Sequence, residues 1–355
     1  MSRAQLTSTV EQNSAGAASP FLAGKNKIIN GDFGVWQRGT SFSGNGNATA
    51  DRYIISFTGT GAAITTSQQT FTPGTAPTSG YEGTYFCRNV VTGGSDTTAG
   101  YVFMTQKIED VRQFAGQTVT FSFWAKAASG TPGLAVDIYQ DFGTGGSAVP
   151  SVTGNKVTLS TSWARYTITT AIPSIAGKTI GTGSNLAVRM WFSGGSNYNA
   201  NTGSLGTQSN TFDIWGWQVE SGSVATPFTT ASGTVQGELA LCQRYLPVFG
   251  GGPSGSSTDI QGYASSTTAA NFYGTFAVQP RTTPTGITLS ALSNYRVYNV
   301  SNVSGNPTAL TFTEASLQTF QLISTTTAGS PTIVQGQPVD LYMSVGQILF
   351  TGCEL

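Results

Sequence analysis

Seven short segments between Asp51 and Val219 alternate apolar with polar residues, and each is fenced by Gly, Ser, Asn or Pro. They are 51–58 ("DRYIISFT"), 100–108 ("GYVFMTQKI"), 118–126 ("TVTFSFWAK"), 134–140 ("LAVDIYQ"), 163–170 ("WARYTITT"), 184–192 ("SNLAVRMWF") and 211–219 ("TFDIWGWQV"). In "TVTFSFWAK", Val119, Phe121 and Phe123 share one face while Thr120, Ser122 and Trp124 share the other, the period of a half-buried strand. No long helical pattern separates the segments. The expectation is an all-β chain whose main body is an antiparallel sandwich, with a jelly roll as the leading architecture. The 45 glycines supply turn dihedrals, and 11% aromatic residues suit half-buried strands.

The chain divides into four stretches. Residues 1–24 are rich in Ser, Ala, Gln and Thr around one apolar knot, Pro20-Phe21-Leu22, and predict an extended arm too poor in hydrophobic residues to fold alone. Residues 25–233 carry the sandwich. Residues 234–249 predict a short linking helix with Thr234 as N-cap, one apolar face at Val235, Leu239, Cys242 and Leu246, and an end before Pro247. Residues 250–355 predict a second, smaller antiparallel β domain, with strands at 270–278, 285–290, 295–300, 309–313, 320–324, 339–344 and 347–354.

Sixteen basic and sixteen acidic residues leave a formal net charge of zero, so nucleic acid and anionic membrane surfaces are not expected partners. The chain holds no His, which removes His-based nucleophile activation, His general bases and His-ligated zinc together. Cys87, Cys242 and Cys353 lack CxxC spacing and read as buried thiols. "MSRAQLTSTVEQ" has no apolar leader and no run is long enough to span a bilayer, so no signal peptide or membrane insertion is expected.

Chemistry therefore falls to carboxylates and aromatic rings. The tightest acid pairs, Glu109 with Asp110 and Asp137 with Asp141, lie at strand or loop ends, and no enzymatic activity is expected from them. All six tryptophans lie at or before Trp217. Asp213, Trp215 and Trp217 alternate onto one face, opposite Phe212, Ile214 and Gly216, so two indoles beside a carboxylate would make a sugar platform. Trp191, and Tyr139 on the same face as Asp137, complete the candidate glycan-binding set. Asp32 and Asp213 are candidates for an oxygen-ligated structural calcium. No other cofactor is expected.

Taken in order, "KNKIINGDFGVWQRGTSF", "ADRY", "VTFSFWAKAASG", "TSWARYTIT", "NTFDIWGWQVESGSVATPF" and "GELALCQRYL" resemble a family of phage and prophage tail-fibre proteins. The stretch up to residue 233 is similar to the galactose-binding-like jelly rolls of carbohydrate-binding modules, which implies that "NGDFGVW" opens the sandwich as its entry strand. In such modules a calcium often links the first strand to the last. Asn30, Asp32 and Asp213 fall at the matching motifs, and Gly34 stands where the modules commonly carry an acid. The resemblance implies a virion tail fibre or spike, made in the host cytoplasm and carried in the tail. It implies a homotrimer whose C-terminal β domain helps form the tip, an arm at residues 1–24 docked on other virion proteins, and recognition of host cell-surface glycan. The alternative is a structural capsid-decoration or tail-collar protein without glycan binding.

Overall fold

The computed structural model describes residues 24–46, 49–78, 80–150, 153–250, 258–343 and 346–355. The expected arm falls on residues 1–23 apart from Gly24, and so lies outside the described residues. The chain forms two compact units, one ending at Leu239 and the other running Ala240–Glu354. No helix among the described residues is long and apolar enough to cross a membrane.

The first unit is a jelly-roll sandwich of eleven strands. In chain order these are β1 (Ser41–Ser43), β2 (Tyr53–Thr58), β3 (Ala62–Thr70), β4 (Tyr85–Gly93), β5 (Tyr101–Ile108), β6 (Thr118–Ala127), β7 (Gly133–Asp141), β8 (Asn155–Thr158), β9 (Ala164–Ala171), β10 (Asn185–Gly194) and β11 (Asn210–Ser221). They make a six-stranded sheet in the order β1-β3-β4-β11-β6-β9 and a five-stranded sheet in the order β2-β5-β10-β7-β8. Every pairing is antiparallel. Val119, Phe121 and Phe123 of β6 meet Val188, Met190 and Phe192 of β10 in one inter-sheet core, as the alternation requires.

The outer face of the six-stranded sheet is buried as well. Phe71, Tyr81 and Phe228, from connecting segments, pack over Phe86 of β4, Trp124 of β6 and Trp215 of β11. The central strands of this sheet thus lose both faces to protein, and β6 is buried from Val119 to Ala125.

"NGDFGVW" is not a strand. Asn30 and Phe33 both adopt positive φ (58° and 56°), and the segment is a tight turn pinned by the Asn30 side chain. Asn30 Nδ2 donates to Val35 O (2.9 Å) and Asp51 O (3.1 Å), while Oδ1 accepts from Val35 N (2.9 Å). An Asx-type side chain tolerates this left-handed conformation and satisfies the turn's polar groups. Phe33 is thereby driven fully into the core against Tyr53.

The helix, α1 (Val235–Gln243), has Thr234 at its start, with Gly237 N donating to Thr234 Oγ1 (3.0 Å). The expected apolar face is buried only in its second half: Val235 is 81% exposed and Leu239 is exposed too, whereas Cys242 and Leu246 are buried, joined by Glu238. The acid sets the orientation, because Glu238 Oε1 accepts from Ser232 N (2.6 Å) and Oε2 from Asn30 N (2.7 Å).

Every strand pairing in the second unit is antiparallel. Its strands are β12 (Val248–Gly250), β13 (Thr258–Ala264), β14 (Ala269–Thr275), β15 (Gly286–Leu289), β16 (Tyr295–Tyr298), β17 (Ser304–Gly305), β18 (Pro307–Ala315), β19 (Thr319–Thr326), β20 (Pro338–Met343) and β21 (Gln347–Thr351). They form a three-stranded sheet, β12-β21-β15, and a seven-stranded sheet, β17-β16-β20-β13-β14-β19-β18. Ile260, Phe272, Leu322, Leu341 and Phe350 contribute to their shared core.

Candidate functional site

The expected Trp215–Trp217 platform does not exist. Gly216 has φ +68°, and the β11–β6 register slips between Trp215 and Gln218, a bulge that inserts one residue and inverts the side-chain phase. Trp215 therefore stays with Asp213 on the outer face, whereas Trp217 swings into the inter-sheet core against Tyr53 and Phe121 (ring centroids 5.2 Å in each case). Both indoles are 0% exposed, so neither offers a face to a ligand. A Cβ on Gly216 would also meet the Trp124 ring at 2.7 Å.

Asn30, Asp32 and Asp213 do not assemble into a calcium cage. Asp213 sits between Arg88 on β4 and Lys126 on β6: Arg88 Nε and Nη2 donate to its two oxygens (2.7 and 2.9 Å), and Lys126 Nζ lies 3.6 Å away. Two cations already neutralise that carboxylate, and the Asn30 amide oxygen is occupied within its own turn. Asp32 Oδ2 accepts from the Tyr81 hydroxyl (3.0 Å). The residues do not fit the metal, and no group of three His, Cys, Asp or Glu suited to one occurs among the described residues.

Burial pushes the Asp32 carboxyl above the ordinary range. Glu238 is raised by the same cause, with a further contribution from the Asp32 charge. Both groups hold a proton more tightly when folded, so their contribution to stability is fullest below about pH 4 and is lost as pH rises through the folded values. Asp32→Asn keeps an acceptor for Tyr81. The stability difference between variant and parent, from denaturant unfolding at a series of pH values, should shift in the variant's favour from pH 4 towards neutrality.

The remaining two candidates, Tyr139 and Trp191, are brought together on the outer face of the five-stranded sheet. Registers place Trp191 opposite Phe103 and Arg189 opposite both Thr105 and Asp137, so odd-numbered positions of β5, β7 and β10 share this face. At its centre is Asp137, 1% exposed. It accepts from Arg189 Nε (2.9 Å) and Nη2, from Trp191 Nε1 (2.9 Å) and from Asn201 Nδ2 (3.0 Å). Four donors converging on one carboxylate fix its position and orient the side chains around it. Asp141, four residues along the strand and thus about 13 Å away, is too distant to make a glycosidase pair with it.

The Arg189 guanidinium lies 4.3 Å from the Tyr139 ring centroid, 4.8 Å from Trp191 and 5.6 Å from Phe103. Trp191 is only 1% exposed, so it is the floor of the arrangement. Its cover comes from Tyr198, on the 196–202 helical turn (5.3 Å), and from Phe103 (4.8 Å). Tyr101 stacks on Phe103 (5.1 Å, 18°) and meets Tyr198 edge-on (5.2 Å). Tyr101, Phe103, Tyr139 and Tyr198 are each half-buried and form the accessible surface.

Burial raises the Tyr139 and Tyr198 phenols, which stay protonated at neutral pH. Neither hydroxyl, nor Arg189 Nη1, has a hydrogen-bond partner among the described residues. The face thus offers aromatic surface ringed by polar groups that are not committed elsewhere. Sequence reasoning missed Tyr101, Phe103, Arg189 and Tyr198. The alternation of Tyr101 and Phe103 with Val102 and Met104, and of Arg189 and Trp191 with Val188 and Met190, carries the signal, but only the strand register unites them.

No known family profile matches the chain, and no curated protein matches it. Among solved structures, a CBM4 structure matches at 19% identity over 55% of this chain and 99% of its own, with a TM-score of 0.33. The enzymatically active domain of bacteriophage CBA120 tailspike protein 4 matches at 15% identity over 56% of this chain, with a TM-score of 0.34; the match spans 21% of that chain. A family 11 carbohydrate-binding module from Clostridium thermocellum, in complex with a β-1,3-1,4-mixed-linked tetrasaccharide, matches at 13% identity over 53% of this chain and 98% of its own, with a TM-score of 0.32.

Proposed function

We propose that the chain is a non-enzymatic phage tail-fibre or spike protein that attaches to the host by binding cell-surface glycan on the outer face of the five-stranded sheet. The observation that carries this reading is the surface of Tyr101, Phe103, Tyr139 and Tyr198 laid over the Asp137–Arg189–Trp191 network. The apolar face of a sugar ring stacks on exposed aromatic rings, and its hydroxyls pair with the uncommitted phenol and guanidinium groups. The buried network spends its polar atoms on holding those rings in place, so little side-chain freedom is lost on binding.

Single contacts of this kind are weak. In a homotrimer docked to the tail through residues 1–24, several such sites would act together, and avidity would supply the strength. Virion placement and trimeric assembly rest on the order of the sequence motifs. Glycan binding rests on the geometry of the face.

Tyr139 stacks on Arg189 without belonging to the inter-sheet core. Tyr139→Ala should weaken binding of host polysaccharide about tenfold, the value of one aromatic stack, with little change in melting temperature. A glycan array followed by titration of the best ligand measures this. Unchanged affinity in the variant would remove the five-stranded face from the proposal.

A further inference from the structure

The second unit carries an aromatic and polar surface that the first-unit site does not involve. On the outer face of its seven-stranded sheet, pairing aligns Tyr298 with Asp340, Asp340 with Gln261, Tyr273 with Gln321, and Gln321 with Glu314. Extension of the β13–β14 register sets Gln261 beside Tyr273, which closes one row across six strands. At about 4.8 Å per strand the row is about 24 Å long.

Both ends of the row open into clefts. One, of about 630 Å³, is lined by residues that include Asp259, Tyr298, Asp340 and Tyr342. The other, of about 270 Å³, is lined by residues that include Tyr273, Glu314 and Gln321. Between them Tyr263 (43% exposed) and Tyr273 (50% exposed) stand as near-parallel rings, 16° apart with centroids separated by 6.3 Å. Side-chain amides steady the pair: Asn271 Nδ2 donates to the Tyr263 hydroxyl (2.9 Å) and Gln321 Nε2 to the Tyr273 hydroxyl (3.2 Å). Tyr298 and Tyr342 meet edge-on at 5.7 Å.

We propose that this row is a second ligand-binding site, and that its occupant is a neutral oligosaccharide lying across the strands. Stacked tyrosines offer ring faces to the apolar side of sugar rings, and carboxylates and carboxamides spaced along the row accept and donate to hydroxyls. Charge narrows the occupant. Asp259, Asp340 and Glu314 face outward against the single guanidinium of Arg296, so the face repels acidic polymers and an identical face of a second copy.

The site can be read separately from the first-unit face, because all six tryptophans lie in the first unit and the second has none. The full-length chain is titrated with neutral hexasaccharides of glucose, galactose and mannose, followed in parallel by calorimetry and by Trp emission. Binding at the row is expected as heat without a change in Trp emission. Tyr273→Ala and Tyr298→Ala should each weaken that Trp-silent binding about tenfold. Tyr273→Phe, which keeps the ring, should retain most of it and serves if the alanine variant misfolds.

Three results overturn the proposal: no Trp-silent heat with any of the three sugars, Trp-silent binding indifferent to these substitutions, or a change of oligomeric state on substitution, which would make the face an interface between copies. Failure of the first-unit reading has a different signature, the absence of binding that depends on Tyr139.

Discussion

Trp217→Ala is expected to destabilise the first unit by about 3–5 kcal/mol and to lower its melting temperature by about 10 °C. The indole is fully buried between Phe33, Tyr53 and Phe121, all at edge-on angles, and its removal leaves a cavity walled by rings that cannot collapse into it. The backbone at this position is equally committed: Trp217 N donates to Gly31 O (2.9 Å), and Asn26 Nδ2 donates to Trp217 O (2.9 Å). Loss of the side chain should therefore also loosen the 26–33 turn segment, visible as faster amide exchange there. Thermal unfolding checks the first effect. A variant with the parental melting temperature and weakened glycan affinity would reinstate Trp217 as a sugar platform.

Asp137→Ala should cost about 3 kcal/mol and abolish glycan binding together. It strips acceptors from Arg189, Trp191 and Asn201 at once and leaves a guanidinium, with 18% of its side chain exposed, without its counter-ion. Phe103 and Tyr139 of the proposed ligand face rest on that guanidinium, so their positions go with it. The double variant Asp137→Ala/Arg189→Met separates the two roles. Removing both charges should recover much of the stability, because a buried ion pair is largely replaceable by apolar packing. Binding should stay lost, since the polar floor is gone. Thermal unfolding and glycan titration on the same preparations decide between these outcomes.

Much of the sandwich was legible because one face of each strand packs inward. The seven alternating segments became β2, β5, β6, β7, β9, β10 and β11, with ends shifted by a residue or two. The strands that escaped notice have cores written in polar letters. In β3 only Ile64 and Thr66 are buried, and in β4 the inward row is Cys87, Asn89 and Val91. Thr66 Oγ1 donates to Asn89 Oδ1 (2.9 Å), which satisfies two polar groups inside the core and hides the alternation from any count of hydrophobic residues.

The candidate site was legible in part, and for reasons of register. Tyr139 lies on the proposed ligand face. Trp191 lies beneath it, because Tyr101, far away in sequence, and Tyr198, on the helical turn just after β10, close over the indole. The alternation that paired Trp215 with Trp217 failed at one residue, Gly216, whose positive φ inverts the phase. A glycine inside an otherwise strong strand pattern is the available sign of a bulge, although it does not say which way the chain resumes. The calcium set failed differently. Asp213 lies near the right motif, but Arg88 and Lys126 on the flanking strands fill the place of the ion, and strand neighbours are not adjacent in sequence.

The most direct measurement is a crystal structure of the full chain with the highest-affinity oligosaccharide from a host-glycan array. The account predicts sugar rings stacked against Tyr101, Tyr139 or Tyr198, with hydroxyls within hydrogen-bond distance of Arg189 Nη1. An ordered oligosaccharide elsewhere on the first unit, with this face bare, would contradict it.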